Sequence, residues 1–337
     1  MTCSFPYKNY SRVLLVDFLY ETTRKTWAMS MCTLCKKREA VFMRSYSGER
    51  LCRRCFCKSI ENKVRATISR YEMFQPNDKI MIGVSGGKDS VTLLHILAKI
   101  EKNFPDATLC AVTVDEGIKG YRDEALKFAV ENCRKLGIEH IVTSFKQMYG
   151  YGLDELVNMI QEKELTPCSY CGVLRRRALN TAAREAGVDK LAIAHNLDDE
   201  TQTMILNILH GNALRIARVK PVLAVVHPKL VPRVKPLCEV PEREVAFYAY
   251  LKKIEFQGIP CPYAGTALRN DVRAMLNRWE MKHAGMKFTV FKSLERIRPA
   301  LEAMAEKVKL RECKKCGEPT VGELCKPCQM LEELSIR

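Results

Sequence analysis

Two quartets of cysteines stand near the ends of the chain. Cys32, Cys35, Cys52 and Cys55 follow the pattern C-x2-C-x16-C-x2-C, and Cys313, Cys316, Cys325 and Cys328 follow C-x2-C-x8-C-x2-C. A C-x-x-C turn presents two sulfurs on one knuckle, and two knuckles supply the four thiolates of a tetrahedral zinc. Both quartets read as closed zinc sites with structural or docking roles, because four cysteines leave no open position for catalysis. A further pair, Cys168 and Cys171, has no local partner pair, and Cys261 lies 90 residues beyond Cys171. Three thiolates leave one iron of a [4Fe–4S] cluster without a protein ligand, and that iron could take an exogenous ligand such as hydrosulfide. The same residues also fit redox or persulfide chemistry at a lone C-x-x-C, with Cys261 as a small buried hydrophobe.

The segment Val84-Ser85-Gly86-Gly87-Lys88-Asp89-Ser90 joins an expected strand to an expected helix, whose N-terminus can bind phosphate. Gly86 and Gly87 let backbone amides approach phosphate oxygens without obstruction by side chains. It is not a Walker loop: Asp89 follows Lys88, and Ile82 stands where the first glycine belongs. The hexapeptide S-G-G-K-D-S instead resembles the pyrophosphate-binding loop of the N-type ATP pyrophosphatases. That resemblance implies a loop that holds the β- and γ-phosphates while the α-phosphate is attacked. His195-Asn196-Leu197-Asp198-Asp199 follows the fourth expected strand, where paired carboxylates could hold Mg²⁺ or cap the next helix. By the same resemblance Asp199 is the ATP-site carboxylate. Val114, at the end of the second strand, and Ala194, at the end of the fourth, then join residues 84–90 around the nucleotide.

These groups need a scaffold, and apolar periodicity suggests one. Residues 79–84, 107–114, 138–145 and 190–194 read as strands. Around them, residues 58–74, 121–136, 153–164, 168–186, 197–209, 242–251, 267–283 and 294–308 read as helices. Strands separated by helices imply parallel pairing, hence a doubly wound, Rossmann-like α/β sheet. The expected units are an N-terminal extension (1–30), a zinc ribbon (31–58), an ATP pyrophosphatase core (59–235), a helical region completing the site and an RNA-binding surface (236–310), and a second zinc ribbon (311–330).

With 55 Lys and Arg against 39 Asp and Glu, the formal net charge is +16, which favours polyanionic partners: RNA, DNA or an anionic membrane surface. No run approaches the roughly 18–20 apolar residues of a membrane span, and the patch 13–20 is interrupted by Asp17 without a cleavage pattern. The chain is therefore read as cytoplasmic, where sixteen cysteines favour metal over disulfides.

Taken in order, these motifs resemble the tRNA 2-thiolation enzymes of the TtuA/NcsA type over residues 32–330. The match includes both quartets, S-G-G-K-D-S, Val114-Asp115-Glu116-Gly117-Ile118 with Tyr121-Arg122, Cys168-Ser169-Tyr170-Cys171-Gly172, the 195–199 segment, and Cys261-Pro262-Tyr263-Ala264. The resemblance implies an ATP pyrophosphatase core flanked by zinc ribbons, with a homodimer as the usual assembly. ATP and Mg²⁺ would adenylate the C2 oxygen of a tRNA uridine. Sulfur would then displace AMP, with a [4Fe–4S] cluster on Cys168, Cys171 and Cys261 presenting it, and with no net electron transfer. Arg175 stands where the family places a basic residue, often lysine, near the phosphates. The wobble uridine is the expected target, and the sulfur donor is a ubiquitin-like thiocarboxylate carrier or sulfide.

The residues add a case for RNA: Arg175-Arg176-Arg177 adjoins the cysteine pair, and Arg269, Arg273 and Arg278 recur near helical spacing. Competing readings are a Cys171/Cys261 persulfide pair without a cluster, thiolation of a T-loop uridine or a cytidine, and a non-catalytic zinc-ribbon RNA-binding protein. Iron content separates the first, and tRNA-stimulated pyrophosphate release excludes the last.

Overall fold

A computed structural model describes residues 30–160, 166–223, 227–264, 268–304 and 310–334. Its centre is a six-stranded sheet of β3 (Lys79–Gly83), β4 (Thr108–Asp115), β5 (Glu139–Ser144), β6 (Lys190–Ala192), β7 (Val222–Leu223) and β8 (Arg233–Val234). The strand order is β5-β4-β3-β6-β8-β7, and every pairing is parallel except that of β7 with β8. The inner strands are apolar on both faces, as a sheet covered on both sides requires. Ile80, Ile82 and Ala111 face one core, shared with Val91 and Leu94 of α2 (Lys88–Glu101) and Ala129 of α3 (Arg122–Leu136). Met81, Cys110 and Val112 point the other way, into a core with Ala182 and Ala183 of α6 (Pro167–Glu185).

The order of strands decides where a ligand can sit. The chain runs outward from β3 to β4 and β5, then returns to place β6 on the other side of β3. Connections therefore diverge at the carboxyl ends of β3 and β6, which opens a crevice there. The glycine loop follows β3, and the 195–199 segment follows β6.

Helix α7 covers Leu197–Leu209, the span expected from the sequence. Gly137, left-handed at φ 67°, closes α3 as a C-terminal cap. Other expectations shift. The helix expected at 168–186 is α6, which begins one residue earlier at Pro167, where the missing N–H costs nothing. The strand expected through Phe145 stops at Ser144, which caps the short helix α4 (Phe145–Tyr149) with Gln147. The helix expected at 153–164 is α5 (Leu153–Met159), with residues 161–165 outside the described chain. The helix expected at 294–308 is α11, Met286–Ala303, begun by a left-handed Gly285; residues 305–309 are again outside. Its first turns are held by tertiary contacts, including buried Phe291 and the ion pair of Lys287 with Asp198. Strands β7 and β8 and helix α8 (Ala213–Ala217) are too short to give a period and were not expected.

The two cysteine quartets sit in matching hairpin-and-helix units. At the N-terminal side, β1 (Phe42–Met43) pairs with β2 (Arg50–Leu51), and α1 (Arg53–Arg70) follows. Helix α1 continues unbroken past residue 58, so the ribbon and the following core share one helix. The ribbon docks on α9 (Glu242–Lys252) through the rings of Phe42, Phe56 and Phe247 and through Arg44 to Glu244 at 3.0 Å. The second unit, β9 (Arg311–Glu312), β10 (Pro319–Thr320) and α12 (Lys326–Glu333), packs on α6. Helix α10 (Leu268–Lys282) leans on α7 beside the crevice.

Candidate active site

The phosphate loop is built by its own hydroxyls. Ser85 N donates to Ser90 Oγ at 3.0 Å, and Ser90 Oγ donates to Gly87 O at 2.9 Å, which turns the loop around the start of α2. Gly86 has φ +83°, and a Cβ there would lie 2.0 Å from the backbone oxygen of Ala125. Only glycine satisfies both the torsion and the close approach. Lys88 Nζ meets Asp89 Oδ2 at 2.9 Å and Glu242 Oε1 at 2.6 Å, so two carboxylates hold this cation at the crevice. Burial works against its charge, but Asp89 and Glu242 raise its pKa above the ordinary lysine value.

Asn196 caps α7 and ties the two crevice edges together. Its side chain accepts from Asp199 N and donates to Asp89 Oδ1, both at 3.1 Å. Asp199 returns a bond to Asn196 N at 3.1 Å, completing a capping box. Of the two acids at 198–199, Asp199 therefore lies beside Asp89. Asp198 turns away, accepting from Glu242 N at 2.8 Å and pairing with Lys287. Burial and then the neighbouring Asp89 push the Asp199 carboxyl up to about 7, and burial raises Asp89 as well. Two carboxylates that resist sharing negative charge beside a phosphate loop suit a hard divalent cation, which takes oxygen ligands. Desolvation, and then Lys235, Arg269, Arg233 and Arg175, lower the pKa of His195, whose exposed ring lies 3.8 Å from Glu200.

The strand expected through Ala194 stops at Ala192, and Ala194 lies two residues beyond it, partly buried against the main core. Val114 is buried at the carboxyl end of β4, and its carbonyl accepts from Arg122 Nη2 at 2.7 Å. Arg122 also donates through Nη1 to Ser85 O at 2.9 Å and pairs through Nε with Glu116 Oε2 at 2.6 Å. The other oxygen of Glu116 reaches Arg175 Nη1 at 3.2 Å. One buried carboxylate therefore connects the phosphate loop to Arg175, which lies electrostatically beside Cys171 and Cys261. Glu116 and Arg122 were not singled out for a role from sequence; a lone Glu and Arg six residues apart give no local signal.

The three unmatched cysteines come together at one edge of this crevice. Cys168 and Cys171 occupy the first turns of α6, where the helix dipole favours negative charge. Cys261 is delivered by the segment before it: Gln257 N donates to Gly86 O at 3.0 Å, and Gln257 Nε2 donates to Tyr121 O at 2.8 Å. The turn Pro262–Ala264 then sets Tyr263 O to accept from Cys168 Sγ at 3.3 Å. Cys171 and Cys261 join one apolar cluster with Val114, Ile118 and Tyr170. Burial raises Cys171 to about 11 and raises Cys261 also.

Sulfurs of each terminal quartet lie within 4.8 Å of one another, as ligands of a single ion must; among the described residues no other trio does so. The three central thiols do not all lie within that distance of one another. In both quartets the second knuckle opens a helix, with Cys52 and Cys325 as the capping residues. Backbone N–H groups outweigh burial and hold Cys32 and Cys313 down to about 6, a thiolate-favouring environment.

The Arg175-Arg176-Arg177 run does not form one patch, because successive helical residues point about 100° apart. Arg175 serves Glu116, and Arg176 faces the cations Arg175 and Arg215. Arg177 donates to Cys316 Sγ at 3.4 Å and Cys325 Sγ at 3.8 Å, so it braces the C-terminal quartet. Arg269 faces the crevice, donating to Thr203 Oγ1 at 3.1 Å.

Comparison with known proteins agrees with this geometry. Residues 56–279 match the PP-loop domain family. The chain is 36% identical to the tRNA 2-thiolation protein NcsA of Haloferax volcanii, over 88% of this chain and 97% of that protein. It is 34% identical to the tRNA-5-methyluridine(54) 2-sulfurtransferase of Pyrococcus horikoshii, over 88% and 92% respectively. The solved structure of the U34-tRNA thiolase NcsA from Methanococcus maripaludis, with its [4Fe-4S] cluster, superposes with TM-score 0.79 at 36% identity, covering 91% of this chain and 97% of that one. By fold, by motif and by these likenesses, the chain belongs to the tRNA 2-thiolation family of PP-loop sulfurtransferases.

Proposed function

We propose that this enzyme replaces the C2 oxygen of the wobble uridine of tRNA with sulfur, consuming ATP and releasing AMP and pyrophosphate. The observation that carries the reading is the single crevice in which the phosphate loop, the Asp89/Asp199 pair and three cysteines meet, linked by Arg122, Glu116 and Arg175. The wobble position rests on the U34 thiolase, which is similar over nearly its whole length; the Pyrococcus relative, named for position 54, supports the T-loop alternative.

The loop amides of 85–88 and Lys88 would bind the β- and γ-phosphates, with Val84, Val114 and Ala194 framing the nucleoside and Asp89 and Asp199 holding Mg²⁺. ATP would then compete with Asp89 and Glu242 for Lys88. Attack by the uridine C2 oxygen on the α-phosphorus breaks the bond to pyrophosphate, which leaves on the loop. Sulfur adds at C2 and the C2–O bond breaks, so AMP departs with the oxygen. Arg175, joined through Glu116 and Arg122 to the phosphate loop and electrostatically close to Cys171 and Cys261, would place its fixed charge near the leaving phosphoryl oxygens. Cys168, Cys171 and Cys261 would hold a [4Fe–4S] cluster; when bound it supplies an iron with an open coordination position for the incoming sulfur. The terminal quartets would hold two structural zinc ions. The working unit is read as a cytoplasmic homodimer, with a thiocarboxylate carrier or sulfide as donor.

The test is anaerobic purification of the wild type and Cys261→Ala, followed by metal analysis, visible spectroscopy and tRNA-stimulated pyrophosphate release. About four irons and two zincs per chain are expected, with a broad ~400 nm band lost in the variant while zinc is kept. Two zincs without iron after reconstitution would refute the cluster and leave persulfide chemistry at Cys171 and Cys261.

A further inference from the structure

Far from this crevice, the outer face of α1 lines a depression of about 640 Å³ whose walls are almost wholly charged. Seven cations and one acid, Glu61, border it, together with the thiol of Cys57. Glu61 is buried and already committed, meeting Lys99 Nζ at 2.6 Å, Lys252 Nζ at 3.6 Å and the Tyr248 hydroxyl at 3.0 Å. Arg53 is also engaged, donating to the backbone oxygen of Leu251. Arg38, Arg54, Lys58 and Arg65 are exposed and have no carboxylate partner among the described residues. A concave surface with so much unanswered positive charge is built for an anion longer than one group.

We infer that this basin is a second RNA-binding site, which grips the phosphate backbone of tRNA away from the reacting nucleotide. The inference deepens the tRNA reading above and rests on it. The lining argues for nucleic acid, because seven cations against one acid present regularly repeated positive charge of the kind that a phosphate backbone neutralises. Three of the four unpartnered cations are arginines, whose planar fork matches phosphate oxygens two at a time. The site is also distant from the chemistry. Lys99 lies in the last turn of α2, and Lys88 of the phosphate loop opens that helix, so about 16 Å of helix axis separates them. A contact so placed adds binding that is equal in ground and transition states, which changes KM for tRNA and leaves kcat alone.

The experiment compares the wild type with the triple variant Arg54→Ala/Lys58→Ala/Arg65→Ala, using the full chain with its metals and one tRNA transcript. Binding is measured from 50 to 400 mM KCl. The three side chains are exposed and leave the Glu61 pairs intact, so zinc content and melting temperature should match the wild type. Losing three phosphate contacts lowers the slope of log K against log salt by about 2–3, and affinity near 0.1 M salt by as much as a few hundredfold. KM for tRNA rises while kcat stays within twofold. Lys127→Ala/Arg134→Ala, on the exposed side of α3, reports the effect of net charge alone. An unchanged slope in the triple variant, or an equal change per charge in the control, overturns the site. Unchanged tRNA binding with lost binding of an acidic protein overturns it in favour of a protein partner. Failure of the wild type to bind tRNA at all would instead fail the reading beneath it.

Discussion

Removing the Glu116 carboxylate should unfold this protein more readily than any change at the surrounding surface. Glu116 is 2% exposed and Arg122 is 4% exposed, and their ion pair is 2.6 Å long. Arg122 spends its other donors on Ser85 O and Val114 O, so it cannot swing out to water without releasing the phosphate loop. Glu116→Ala leaves that guanidinium charged, buried and unpaired, at a cost of about 3–5 kcal/mol. Glu116→Gln keeps the volume and one acceptor but loses charge assistance, and should cost about 1.5–3 kcal/mol. The Arg175 half adds little to stability, since that side chain is 45% exposed and solvent screens it. The assay is urea denaturation with zinc and reductant present, reading the midpoint shift at constant slope. A cycle with Arg122→Met should return a coupling of at least about 2 kcal/mol. A Glu116→Ala loss below about 1 kcal/mol at unchanged slope would refute the idea that this buried pair holds the loop.

Gly86→Ala forces a Cβ against the Ala125 carbonyl at a left-handed torsion, so pyrophosphate release should fall at least about 100-fold while both zincs remain. Asp199 has its pKa raised to about 7 by folding, so its favourable contribution is complete below its ordinary 3.8 and is lost as pH rises through 7. In magnesium-free buffer Asp199→Asn should therefore be more stable than the parent by at least about 1 kcal/mol at pH 8, and equal to it below pH 4; equal stability at pH 8 would count against the raised carboxyl. Arg177→Met removes the donor to Cys316 and Cys325, and chelator competition should show the C-terminal zinc bound about 10–100-fold more weakly with the N-terminal zinc unaffected.

Much of the chemistry was legible in the chain because it is local. A cysteine knuckle closes over four residues, and the loop from Ser85 to Ser90 folds on its own serine hydroxyls within six. The central strands were readable as continuous apolar runs, whereas β7 and β8, two residues each, carry no period to read. The separate fates of Asp198 and Asp199 have the same origin. Two adjacent acids look equivalent in sequence, but successive side chains on a helix diverge, so Asp199 joins Asp89 and Asp198 goes to Lys287.

By itself the sequence determined the two metal quartets, the phosphate loop, the alternation that makes a parallel sheet, and an excess of positive charge. Tertiary structure alone decided which groups share the crevice: Lys88 with Glu242 across 154 positions, Arg175 with Glu116 across 59, and Cys168 with the turn at Tyr263 across 95. It also sent Arg177 to a metal quartet and brought Lys99 and Lys252 from two other helices to Glu61 of α1. The reason is physical. Spacing encodes contacts only within a turn or a strand, while the partner of a buried charge is chosen by the way helices and strands pack.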